Sequence, residues 1–264
     1  MTATDKTVSL GIGDGIAWLT FRNEARRNAM TLAMWQQLSE HLEKLKTDDT
    51  VRVVVLKGGG DKAFVSGADI SEFETERSGD EAVTIYNQTS STADRALAAF
   101  PKPTLAMIRG ACVGGGLGLA LGCDIRLCTP DARFGLPAAR LGLGYDFAGS
   151  KKLIGELGPQ AAAEIFYTGS LINADEALRS GIVRRIVDEG AILEETTTLA
   201  ERIAANAPLT LKAFKAAKVE IAKAKHEGDW THIDRMAREC YASEDYTEGR
   251  RAFMEKRPPV FKGR

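Results

Sequence analysis

Apolar positions recur along this chain at two periods, and the change from one to the other marks its elements. Val8-Ser9-Leu10 and Ile16-Ala17-Trp18-Leu19-Thr20-Phe21 are short β-prone runs separated by Gly11-Ile12-Gly13-Asp14-Gly15, which predicts a hairpin closed by a Gly/Asp turn. Val51–Leu56, Thr104–Arg109, Asp124–Cys128 and Ala132–Phe134 read as further strands, with Leu136-Pro137 opening a turn. Between them the period lengthens. Leu32, Trp35, Leu38, Leu42 and Leu45 form one stripe on a helix that Thr31 caps and that runs to about Lys46. A second helical segment spans about Asp80 to Phe100 and stops at Pro101-Lys102-Pro103. Strand and helix alternate repeatedly before residue 135, which predicts stacked ββα units and not separate domains. The second half is helical: Gln160–Tyr167, Asn173–Ser180 with Asn173 as cap and Gly181 as stop, Ile192–Asn206, Leu209–Lys225 and Ile233–Ala242 all carry helical stripes.

Two strand ends carry unusual turns. Thr104–Arg109 leads into Gly110-Ala111-Cys112-Val113-Gly114-Gly115-Gly116-Leu117-Gly118 and then Leu119-Ala120-Leu121, the opening of a buried helix. Consecutive glycines let a backbone approach a ligand closely and adopt positive φ. Amides near Gly115 then leave a helix N-terminus, where partial positive charge collects. A lone Gly triplet also serves as a tight strand-to-helix turn. The second segment, Ala63-Phe64-Val65-Ser66-Gly67-Ala68-Asp69-Ile70, follows Val51–Leu56 and ends in another tight turn before a helix.

Together the two segments resemble the paired signature of the enoyl-CoA hydratase/isomerase family, the crotonases. Ser243-Glu-Asp-Tyr-Thr-Glu-Gly-Arg-Arg-Ala-Phe-Met-Glu-Lys-Arg257 and the Pro-Pro-Val-Phe-Lys-Gly263 that follows resemble the family's C-terminal string, so the likeness runs from about residue 8 to 263. The resemblance implies an α/β crotonase (ClpP-like) spiral of ββα units. Residues 1–195 would form the core with the acyl-CoA site, and residues 196–264 a helical region that covers that site and builds a homotrimer or a dimer of trimers. It implies an oxyanion hole for an acyl-CoA thioester made by the Ala68 and Gly115 amides, with Ser66, Gly67, Asp69, Ile70 and Gly114 around it. Asp69 is assigned to holding its turn. Ala25, Arg26 and Arg27 would contact the CoA adenine and pantetheine. Two arginines beside a CoA phosphate suit charge-assisted donation, and a solvated loop charge is the alternative.

One departure from the family pattern bears on the reaction. The family's hydratases use two glutamates, and the matching positions here are Gly118 and Ala138, in Phe134-Gly-Leu-Pro-Ala138. Neither residue can move a proton, which disfavours the two-glutamate hydration mechanism. From Pro137 to Leu153 the chain matches the family's pattern without a gap. Asp146 thereby falls where dienoyl-CoA isomerases and chlorobenzoyl-CoA dehalogenases carry a catalytic aspartate. Asp146 also precedes a helix-like stretch, so a helix N-cap is the competing role. Leu143, Phe147 and Ala138 are expected to surround it with apolar surface, with the Tyr145 hydroxyl at the same rim. Glu72, Glu74 and Glu76, on the segment that borders the acyl pocket in relatives, read as a solvated charge cluster. The resemblance thus implies a thioester enolate formed during double-bond isomerisation, or hydration without the usual glutamate pair. The alternative is a catalytically inactive CoA- or RNA-binding protein.

Composition narrows the partners further. A length of 264 residues and 44% hydrophobic content supply an ample core. A net charge of −1 offers no basic field for nucleic acid and no polybasic membrane patch. The longest apolar runs fall short of the ~20 residues a membrane span needs, and Met1–Lys6 has no hydrophobic signal region; the expectation is a cytoplasmic protein. Cys112, Cys123, Cys128 and Cys240 lack CxxC spacing and read as buried reduced thiols. His41, His226 and His232 read as surface residues, so neither a metal nor any cofactor beyond the CoA thioester substrate is expected. Gly144–Lys151 imitates a P-loop with Ser and Lys in the wrong order, and Gly11–Gly15 lacks the dinucleotide fingerprint.

Overall fold

A computed structural model describes residues 6–69, 80–222, 238–239 and 241–260. The expectations placed on Ile70, Glu72, Glu74, Glu76, His226, His232 and Cys240 lie outside the described residues. The chain opens with β1 (Thr7–Gly13) and β2 (Ile16–Arg22), paired antiparallel from Thr7↔Arg22 to Gly13↔Ile16. Asp14 and Gly15, at φ 52° and 76°, are the whole connection, the two-residue turn whose twist suits a hairpin. The first strand therefore runs through Gly11, Ile12 and Gly13, which the sequence pattern assigns to the turn.

After a short 3₁₀ turn at Glu24–Arg26, α1 (Leu32–Thr47) starts at Thr31, whose hydroxyl accepts from the Met34 amide at 3.2 Å. Then come β3 (Val53–Gly58), β4 (Ala63–Val65), α2 (Asp80–Ala98), β5 (Thr104–Ile108), β6 (Ala111–Val113) and α3 (Gly115–Gly122). Next are β7 (Ile125–Cys128), β8 (Arg133–Gly135), a 3₁₀ turn at Pro137–Leu141, α4 (Phe147–Leu157), α5 (Pro159–Thr168) and α6 (Ala174–Arg179). The remainder is β9 (Arg185–Ile186), α7 (Ile192–Ala204), α8 (Pro208–Ala222) and α9 (Glu244–Met254). Neither β6, of three residues between glycine-rich turns, nor β9, of two, is visible in the hydrophobic pattern. Among the described residues no helix is long and apolar enough to cross a membrane.

These elements form two compact units, Met1–Phe134 with Asn173–Lys223, and Gly135–Ile172 with Ala224–Arg264. The first holds a six-stranded sheet in the order β1-β2-β3-β5-β7-β9, parallel from β2 onward, and the strands β4 and β6 of a three-stranded sheet ordered β4-β6-β8. On one face of the large sheet Val53, Val55, Leu105, Met107 and Leu127 pack with Ile192 and Ala200 of α7. α1 buries Met34, Trp35, Leu38, Leu42 and Leu45 and packs on α2. His41, on this helix, is half-buried, and its Nε2 lies 2.8 Å from the Val8 carbonyl; the surface reading of it is corrected, since it ties α1 to β1. Cys112, Cys123 and Cys128 are buried thiols.

Charged side chains lock the margins of the first unit. Arg126 is buried and donates to the carbonyls of Ile182 at 2.5 Å and Cys123 at 2.7 Å, joining β7 to two loops. The Asp124 carboxylate accepts from the Thr104 amide at 2.9 Å, from Lys218 at 3.2 Å and from Lys215, whose side chain is 6% exposed. In the second unit Gly142, at φ 64°, packs against the backbone of Asp245 and Tyr246 at the start of α9, and Gly249 against that of Leu141. Glu248 accepts from Arg251 at 2.5 Å, Arg257 at 2.6 Å and the Val260 amide at 3.1 Å. That gives the Glu and Arg of the C-terminal string a structural task, and the Glu248 carboxyl is held far below the usual range by the Arg257 and Arg251 hydrogen bonds.

Burial alone would raise the Asp124 pKa, but the Lys215 charge and hydrogen bond, the Thr104 amide and Lys218 together hold it below its ordinary value. The folded value then lies below the unfolded one. The group's stabilisation is present in full above the aspartate reference of about 3.9 and is lost as pH falls through the lowered folded value. Lys215→Met leaves the carboxylate without its buried partner and is expected to cost about 3 kcal/mol at neutral pH. Urea unfolding of both proteins from pH 7 to pH 3 should show the wild type losing more of its stability over that range than the variant.

Candidate active site

Strands β4 and β6 are adjacent and parallel, with Ala63 opposite Ala111 and Val65 opposite Cys112. Parallel neighbours deliver the turns that follow them to the same end of the sheet, side by side. Each turn contains a glycine that a side chain would not suit: Gly67 at φ 112°, and Gly114 at φ 57° and ψ −121°. A Cβ on Gly114 would sit 3.7 Å from the Gly67 Cα, and one on Gly67 would sit 3.5 Å from the Val113 carbonyl oxygen. The two turns therefore meet backbone to backbone. α3 is pressed closer still, since a Cβ on Gly116 would fall 2.0 Å from the Val65 carbonyl oxygen.

The orientation of the amides follows from their neighbours. Ala68 bridges in parallel to Met30: the Met30 amide donates to the Gly67 carbonyl at 2.8 Å, and the Asp69 amide donates to the Met30 carbonyl at 2.9 Å. In such a bridge the groups flanking Ala68 face Met30, so the Ala68 N–H itself points the other way, to the side where β6 and its turn lie. Gly115 is the first residue of α3 and is exposed, and its N–H is one of the first-turn amides that a helix cannot satisfy internally. Both predicted donors thus belong to one feature of the first unit.

The loop before α1 is fastened to this feature through buried asparagines. Asn23 Nδ2 donates to the Ala29 carbonyl at 2.8 Å and to Asp69 Oδ2 at 3.2 Å, and Asn28 Nδ2 donates to the carbonyls of Gly59 and Ala63 at 2.9 and 2.8 Å. Asp69 is buried and also pairs with Lys6 at 2.9 Å, consistent with holding its turn. The Ser66 amide and hydroxyl donate to the carbonyls of Arg27 and Arg26 at 3.2 and 3.1 Å. Ala25, Arg26 and Arg27 are exposed beside the turn. Cys112, immediately before the Gly114 turn, has its pKa pushed well above the usual thiol range, first by burial and then by Cys128 and Cys123. It stays a thiol at neutral pH and is no nucleophile.

Of the positions matching the family's glutamates, Gly118 lies in α3 one turn beyond Gly115, and a Cβ there would meet nothing within 4 Å. Ala138, Tyr145 and Asp146 belong to the second unit. Ala138 is buried in the 3₁₀ turn, and Tyr145 is half-buried with its ring 5.4 Å from that of Phe166. Asp146 is exposed, and its Oδ1 accepts from the Gly149 amide at 2.8 Å as the N-cap of α4. The expectation of apolar surroundings for Asp146 is corrected, because the capping geometry turns the carboxylate outward to the first turn of α4. The capping role is present. The sequence reading did not foresee the polar contacts of four residues: Asn23 and Asn28, whose signal is a pair of amides bounding a loop before a helix cap, and Trp35 and Tyr86, which look like ordinary core.

The enoyl-CoA hydratase/isomerase family model matches residues 11–264. A probable enoyl-CoA hydratase of Bacillus subtilis is 35% identical over 257 residues, covering 97% of this chain and 98% of the relative. Among solved structures, an enoyl-CoA hydratase/carnithine racemase from Magnetospirillum magneticum superposes with a TM-score of 0.80 at 36% identity, covering 99% of this chain and 97% of its own. A methylmalonyl-CoA decarboxylase in complex with 2-nitronate-propionyl-CoA superposes with a TM-score of 0.88 at 28% identity, covering 97% and 98% of the two chains.

The glycines of α3 should respond in opposite ways to one added methyl group. Gly116→Ala drives a Cβ into the Val65 backbone and is expected to destabilise the protein by about 3 kcal/mol or more. Gly118→Ala enters open space in a helix and is expected to stabilise it by roughly 0.5–1 kcal/mol. Thermal unfolding of the two variants beside the wild type decides; equal midpoints would contradict the packing described.

Proposed function

The chain belongs to the enoyl-CoA hydratase/isomerase family, and we propose that it processes an acyl-CoA by holding the thioester oxygen between the Ala68 and Gly115 amides while enolate charge develops there. The observation that carries this reading is the backbone contact between the Gly67 and Gly114 turns, with the Ala68 amide turned away from Met30 and the Gly115 amide at the start of α3. Fixed N–H donors suit an oxygen that becomes negative in the transition state, and removing one donor of such a pair costs on the order of 10²–10³ in rate. Arg26 and Arg27, exposed beside Ser66, support contacts to the CoA adenine, pantetheine and phosphates.

Gly118 and Ala138 supply no proton carrier, and we assign that role to Asp146. One of its oxygens is engaged by the Gly149 amide, and the other is available to take a proton from the γ-carbon of an enoyl thioester and return it at the α-carbon. This is double-bond isomerisation; hydration with Asp146 placing the water is its close variant. A second reading draws on the likeness to methylmalonyl-CoA decarboxylase, the higher of the two structural similarities. A 2-carboxyacyl thioester that loses CO2 leaves its bonding pair as the enolate and then takes a proton from water, so no base is needed to generate the charge. Leu209 and Phe214 are 78% and 75% exposed on α8, which supports a homotrimer or dimer of trimers in which another copy covers them.

The two readings separate cleanly with Asp146→Asn. For isomerisation, the variant should lose at least about 100-fold of the solvent deuterium exchange at the α- and γ-carbons of enoyl-CoA thioesters. For decarboxylation, CO2 release from a 2-carboxyacyl-CoA should persist in the variant. Tight thioester binding with neither activity, at any chain length, would sink both and leave a CoA- or RNA-binding protein.

A further inference from the structure

The two amides of the proposed hole belong to turns far apart in the sequence, and a chain of buried side chains joins them by a second route. Trp35, in α1, is 4% exposed. A Cβ on Gly115 would lie 3.3 Å from its Cζ2 and 3.7 Å from its Cη2, so the Gly115 peptide rests on the edge of the indole ring. On the same edge of that ring, next to Cζ2, Nε1–H donates to the Tyr86 hydroxyl at 3.0 Å, and this hydroxyl donates to the Met30 carbonyl at 3.3 Å. The same carbonyl accepts from the Asp69 amide, while the Met30 amide donates to Gly67, so Met30 grips the peptide groups on both sides of Ala68. The path runs Gly115, Trp35, Tyr86, Met30, Ala68.

We propose that Trp35 and Tyr86 are positioning residues that fix the Gly115 and Ala68 amides relative to each other, and so set how strongly the site polarises a thioester carbonyl. The proposal rests on the oxyanion-hole reading and extends it to residues that do not touch the substrate. Trp35, Tyr86 and Met30 are all buried, so a hydrogen bond lost along the path is not replaced by one to bulk water. Donors stabilise an oxyanion only from about 2.7–3.1 Å, and a displacement of about 1 Å at such a site can cost roughly 100-fold. A Phe at position 86 keeps the ring and strands the indole N–H; a Phe at position 35 keeps an aromatic edge and removes the N–H.

The test uses a saturated short-chain acyl-CoA, butyryl-CoA, labelled with ¹³C at its thioester carbonyl, and isotope-edited infrared spectroscopy of the complex. Wild-type protein should lower the carbonyl stretch relative to the free thioester. Tyr86→Phe and Trp35→Phe should each move the band back toward its free position, with the Kd for the probe within about threefold of wild type because the CoA contacts are untouched. The double variant should move it no further than the stronger single one, as expected of links in one path. A purely structural role would lower the unfolding temperature and leave the band in place. A wild-type shift retained in full by Tyr86→Phe therefore overturns the proposal, and that isosteric variant decides alone if Trp35→Phe does not fold. A wild-type complex with no shift overturns the oxyanion-hole reading and this proposal with it.

Discussion

Everything at the candidate site depends on two peptide backbones meeting with no side chain between them. Gly67 and Gly114 end turns that follow neighbouring parallel strands, and Gly116 brings α3 against the β4 backbone. An amide donor has no rotamers, so its direction is set entirely by the chain on either side. Accuracy is therefore a matter of tertiary packing, and the surrounding sequence is spent on it: the asparagine pair in the loop before α1, the Met30 bridge to Ala68, and the indole edge beneath Gly115. On the proposed function this is electrostatic preorganisation by backbone, with the orientation cost met during folding and not during reaction.

The same logic explains why polar side chains are buried around these turns. Asn23 and Asn28 satisfy carbonyls that the irregular loop would otherwise leave unpaired, which a buried segment cannot tolerate. Asp69 is buried against Asn23 and Lys6, far better placed to hold its turn than to meet a substrate. Further out, Arg126 ties β7 to two loops and the Lys215–Asp124 pair ties α8 to the start of β7. Such contacts contribute less to total stability than the apolar core does, but they restrict which arrangement of turns is available.

Much of this was legible in the sequence wherever a feature is local. The hairpin, the Thr31-capped helix and its stripe, the Pro-stopped second helix and the helix following the glycines all obey short-range rules of period and capping. So did the ambiguity at Asp146, whose cap was foreseeable from position alone. What the pattern could not show is non-local. β6 is three residues between two glycine-rich turns, too short for any periodicity. His41 reads as surface because its helix neighbours are charged, yet a strand carbonyl from the chain's start reaches it. Trp35 and Tyr86 fill hydrophobic positions on two helices, and only their meeting in space reveals that their polar atoms form a relay.

The proposed function separates two questions at this site. A hole that stabilises an enolate does not determine how the enolate arises. Proton abstraction requires a base with a matched pKa within hydrogen-bond reach, whereas cleavage of a carbon–carbon bond to a carboxylate supplies the electron pair from the substrate itself. Gly118, one turn beyond Gly115, faces open space where an added Cβ would meet nothing within 4 Å. On the proposed function the two amides serve any thioester enolate, and what differs between the two readings is whether Asp146 or the departing carboxylate of the substrate supplies the charge that they hold.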